Sequence, residues 1–103
     1  MDKVIEDGHV AVLYSRGFGA GWYSWHGVMP LIFDPIVVEM VRTKVSDETI
    51  EEYCRDKYGP DHYYGGAENL TIDWLPVGTE FIIHEYDGNE RIECKKDMDW
   101  ITA

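Results

Sequence analysis

Basic residues are scarce in this chain. Nine Lys and Arg stand against twenty Asp and Glu, a formal net charge of -11 with a pI near 4.5. A surface of that sign repels phosphate backbones and anionic headgroups, so direct nucleic-acid binding and a membrane partner are both excluded. Apolar runs are short. None approaches the roughly 18 residues of a transmembrane helix, and no basic-then-apolar leader opens the chain, so no signal peptide is expected. Cysteine is sparse too. Cys54 and Cys94 lie far apart, outside any CxxC or zinc-finger spacing, and are expected to be reduced, partly buried thiols. Neither a structural metal nor a cofactor is implied. There is no GK[ST] phosphate loop, no nucleophile elbow, no internal repeat and no low-complexity tract.

What is present suffices for one core. With 103 residues, 45% of them hydrophobic and 14% aromatic, the chain is long enough to bury a single domain spanning 1–103. The short run HVAVLY (His9 to Tyr14), flanked by Gly8 and Gly17, predicts a buried strand. The aromatic segment Trp22 to His26 fits either an extended stretch or a helical turn. Asp34-Pro35 predicts a helix start, with Asp34 as N-cap, Pro35 at the first position, and Val37, Met40 and Val41 as the apolar stripe. Ser46 is a second N-cap, followed by Asp47 and Glu48 against the helix dipole. Ile50, Tyr53 and Cys54 form that helix's apolar face and Gly59-Pro60 ends it, giving an αα-hairpin.

Alternation in Leu70, Ile72 and Trp74, then TEFIIHEY, an Asp87-Gly88 turn and a return through Ile92, predict a three-stranded meander. The expected fold class is α+β: a small antiparallel sheet, built from the early strand plus the C-terminal meander, with the αα-hairpin on one face. Trp100 is expected to dock the tail. Both faces of TEFIIHEY carry apolar groups, more than two short helices can cover, so a homodimer or higher homo-oligomer is expected.

The most informative stretch is SRGFGAGWYSWH. Gly17, Gly19 and Gly21 allow backbone N–H groups to converge on an anion, Arg16 offers a planar cationic fork, and Trp22, Tyr23 and Trp25 offer faces for a base. Ser15 and His26 border the segment, and Tyr63 and Tyr64, from a separate Tyr-Gly-rich loop, are expected to close the pocket. The competing interpretation is a glycine turn whose aromatics pack on the core. His84, Glu85, Asp87 and Glu90 surround the hairpin and read as a solvated acidic face, because alternation separates His84 from Glu85 and prevents a metal site. No catalytic residues are assigned, although carboxylates are plentiful enough to leave a paired acid–base site open.

The runs VAVLYSRGFGAGWYSWH, LIFDPIVVEMV and YYGGAENLTIDWLPVGTEFIIHEYDGNE, in that order, resemble a family of small proteins encoded by tailed bacteriophages. The likeness extends from about Ile5 to Ile92 and is most specific in GFGAGW and EYDG. It implies a viral protein in the cytoplasm of an infected bacterial host and supplies no catalytic residue. Accessory phage proteins of this size often act against host defence. The expectation is therefore a sponge that binds a small anionic nucleotide-like ligand, such as a host immune signal. The alternative is an acidic protein-binding inhibitor that blocks a basic host surface as a nucleic-acid mimic does. The sponge is expected first, since the carboxylates are scattered rather than set in rows.

Overall fold

The computed structural model describes residues 2–95; Trp100 and the rest of the tail lie outside them. The fold is α+β and is organised around one strand. β2 (His9–Ser15) lies between β1 (Ile5–Glu6) and β3 (Leu70–Pro76) in an antiparallel sheet of order β1-β2-β3. Alternation sends Ala11 and Leu13 of β2 into one apolar cluster and Val10 and Val12 into another. Burial on both faces explains why HVAVLY is a continuous apolar run rather than an alternating one. The β1–β2 turn is Asp7-Gly8, both at positive φ (50° and 73°), the geometry of a tight primed hairpin.

The helices cover the first face. α1 (Tyr23–His26) is a single turn, so the segment's helical alternative is the one realised, and a short 3-10 turn follows at Met29–Ile32. α2 (Pro35–Arg42) and α3 (Asp47–Tyr58) begin at the two expected caps. Asp34 Oδ1 accepts the N–H groups of Ile36 and Val37 at 2.9 and 3.2 Å, and Ser46 Oγ accepts that of Thr49 at 3.3 Å. Val37, Val38, Ile50 and Cys54 are buried in the first cluster with Trp22, Leu31 and Tyr64, and Met40, Val41 and Tyr53 pack against it.

The second face is covered by a ribbon of β4 (Phe81–Tyr86) and β5 (Asn89–Cys94). The meander expected from the sequence thus divides: β3 joins β2 along seven residue pairs, and β4 pairs with β5 in a sheet of its own. The cause lies in the Pro76–Thr79 turn. Thr79 N–H donates to the Pro76 carbonyl at 3.0 Å with Gly78 at φ 87°, the pattern of an unprimed turn, which splays its flanking strands. The ribbon instead lays Phe81, Ile83, Ile92 and Cys94 against Val10, Val12, Ile32, Phe33 and Leu75. That inner face is therefore covered within one chain. Ile82 and Tyr86, on the outer face, stay exposed.

Candidate functional site

The glycine-rich loop is held between two distant parts of the chain. The tip of the β4–β5 hairpin lies on one side and the 3-10 turn Gly65–Asn69 on the other. Arg16 N–H donates to the Asn69 carbonyl at 3.1 Å, Gly17 N–H to Asn89 Oδ1 at 3.0 Å, and Gly19 N–H to the Asp87 carbonyl at 2.9 Å. Gly88, at φ 81°, packs so closely on the Gly19 carbonyl that any Cβ there would collide with it. Gly66 abuts the Gly21 backbone in the same way. These approaches, more than chain flexibility, account for glycine at both ends of the clasp.

Glu90 completes it. This side chain, expected on a solvated acidic face, is 1% exposed. Its Oε1 accepts the Ser15 N–H at 2.8 Å; its Oε2 accepts the N–H groups of Trp22 (3.0 Å) and Ser24 (2.8 Å) and the Ser24 hydroxyl (2.5 Å). A converging set of amides does form, from Ser15, Trp22 and Ser24 rather than from Gly17, Gly19 or Gly21, and the anion it holds is the chain's own carboxylate. Four charge-assisted hydrogen bonds compensate the cost of burying it. The clue in the sequence is its spacing from Ile92: two residues apart on a strand, the two share the inward face.

The expected site residues fall into two groups. Ser15, Gly21, Trp22, His26 and Tyr64 are buried. Trp22 meets His26 edge-to-face at 4.7 Å between centroids and lies 6.4 Å from Tyr64, whose hydroxyl donates to the Gly59 carbonyl. These rings are core. His26 accepts the Val28 N–H on Nδ1, and burial, reinforced by His62 nearby, lowers its pKa to about 4. Arg16, Gly17, Gly19, Trp25 and Tyr63 are exposed, and Tyr23 is half-buried. Trp25 and Tyr63 meet with centroids 5.3 Å apart and planes at 39°. The expected approach of the tyrosine loop to the glycine segment is thus made within one chain, through Tyr63. Tyr64 goes to the core.

A second exposed pair, Phe18 with Tyr86, stands edge-to-face at 6.5 Å where the loop meets the hairpin. Together the two pairs form an aromatic rim on either side of the glycine loop. Neither Phe18 nor Tyr86 was marked by the sequence, although each adjoins a glycine turn. Arg16 has no carboxylate within ion-pair distance among the described residues.

A separate polar centre ties α2 to α3. Asp34 Oδ2 accepts the hydroxyls of Tyr53 (2.8 Å) and Tyr58 (2.6 Å) and the Lys57 ammonium (3.3 Å). Burial alone would raise the Asp34 pKa; the hydrogen bonds from Tyr58, Tyr53, Val37 and Lys57 outweigh it and hold the group below its usual range. Every lone pair faces a donor from its own helices, so the centre is a helix cap. Among the described residues no cluster of three His, Cys, Asp or Glu could hold a metal ion, and no helix is long and apolar enough to cross a membrane. No protein-family model, curated protein or solved structure matches the chain.

Proposed function

We propose that this chain is a non-catalytic binding protein that covers a basic surface of a protein partner, with the aromatic rim as its contact. One observation carries the proposal. The amides that would have cradled a phosphate are spent on Glu90, Asn89 and Asp87, while four aromatic side chains beside them remain exposed. Exposed aromatics held on a rigid loop supply contact area at low entropic cost. The net charge of -11 favours a cationic partner. With the phage resemblance, the partner is a host protein and the effect is inhibition by occlusion.

A small base-containing anion, such as a nucleotide-derived immune signal, is the second candidate. The exposed, tilted pair Trp25–Tyr63 and the exposed guanidinium of Arg16 favour it. Calorimetric titration at two salt concentrations separates the two. A basic protein partner that binds with strong salt dependence, and is lost in Trp25→Ala, supports occlusion. Salt-insensitive binding of a nucleotide with no protein partner transfers the function to the second candidate.

A further inference from the structure

The β4–β5 ribbon leaves one strand edge unpaired beside an apolar groove. The two-residue turn Asp87-Gly88 makes Tyr86↔Asn89 a bonded pair, and Lys95 N–H donating to the Glu80 carbonyl at 2.8 Å fixes the same phase at the other end. Ladder bonds therefore alternate. Tyr86, His84 and Ile82 direct their backbone groups to β5, whereas Phe81, Ile83 and Glu85 direct theirs away from it. Among the described residues β5 is the only strand neighbour of β4. A groove of about 560 Å³ lies along this outward edge, with the consecutive residues Thr79 to Ile83 as one wall and Tyr23, Met29, Ile32 and Phe33 as the other. Natural sheets blunt such edges with Lys, Pro or a bulge. FIIHEY has none of these.

We propose that this groove binds an extended segment of a partner protein, added as a strand to β4, with apolar side chains in the groove and Lys or Arg at its ends. The outward groups of residues 81–85 match a strand of about five residues, at roughly 3.3 Å per residue. Charge selects the occupant. Glu80 lines the groove with its carboxylate paired to Lys95 at 3.0 Å, Glu85 is exposed at the far end of the edge, and the chain as a whole carries -11. A second copy would bring a second Glu85 and the same net charge of -11, whereas a basic-flanked segment neutralises both. None of the four rim aromatics lines the groove.

The test is to pan a random nine-residue peptide display library against the full chain and to measure the enriched peptides by fluorescence anisotropy. Enrichment of apolar alternation with terminal Lys or Arg is expected. Ile83→Pro deletes an outward N–H without breaking a ladder bond to β5, while trimming a side chain packed on the second cluster, and Met29→Glu alters an exposed wall of the groove. Each should weaken the enriched peptide at least tenfold, while Trp25→Ala leaves it unchanged. Met29→Glu keeps the test decisive if Ile83→Pro does not fold. No enrichment, or binding indifferent to Met29→Glu, overturns the proposal. So does a dimer in sedimentation equilibrium that Met29→Glu dissociates, since the edge would then belong to a second copy.

Discussion

Glu90 accepts the backbone N–H of Ser15 at 2.8 Å across 75 residues of sequence. Through this contact β5 fixes the end of β2, and the same carboxylate then holds Trp22 and Ser24. Removing it strands three backbone donors and a hydroxyl. Glu90→Ala is expected to cost about 3–5 kcal/mol in urea unfolding, in the range of breaking a buried charged network. Amide exchange at Ser15, Trp22 and Ser24 should accelerate in the same variant.

The two tryptophans of the loop segment should separate cleanly. Trp22 is fully buried and Trp25 is 48% exposed. Trp22→Ala should cost about 3–5 kcal/mol. Trp25→Ala and Arg16→Ala should each stay within about 0.5 kcal/mol of the parent in the same unfolding experiment. Their effect belongs in the binding titration, where Trp25→Ala abolishes the rim contact.

Acid should weaken the fold in a window set by His26. The folded imidazole titrates at about 4, against 6.5 when free. Between these values the unfolded chain binds the extra proton, so this contribution is complete above pH 6.5 and is lost as pH falls toward 4. The loss amounts to about 3 kcal/mol. His26→Asn should flatten the profile of unfolding free energy in that window. Asp34, with its lowered pKa, acts only below its usual 3.8, where further acid removes the α2 cap.

Thiol reactivity gives an independent check on the core. Cys54 is fully buried, and burial, with Asp34 and Glu51 nearby, pushes its pKa up to about 12. Cys94 is half-buried. A thiol reagent at pH 8 should modify Cys94 first and reach Cys54 only on unfolding, as mass spectrometry of the time course would show.

Local chemistry was the legible part of the sequence. Asp34-Pro35, Ser46 and Asp87-Gly88 each encode their structure within four residues, and all three form as expected. Asp7-Gly8 carries the same hairpin signal as Asp87-Gly88 and makes the same kind of turn, although its partner strand is only two residues long. Long-range partition was harder to read. Whether β4 continues the first sheet or leaves it depends on the twist of the Pro76–Thr79 turn, which apolar alternation does not encode. Trp22 and Trp25 are three residues apart and chemically equivalent, so composition could not assign one to the core and the other to the rim. The glycine pattern marked the right segment but not its donors, since the converging amides belong to Ser15, Trp22 and Ser24. The identity of their anion lay 75 residues away, in the alternation of Glu90 with Ile92.

Native mass spectrometry of the protein purified at low salt from the cells that express it tests the functional account most directly. The account predicts a complex with a basic polypeptide, which dissociates to the 11.9 kDa chain as salt is raised. The bare chain carrying a retained nucleotide, with no polypeptide partner, would contradict it.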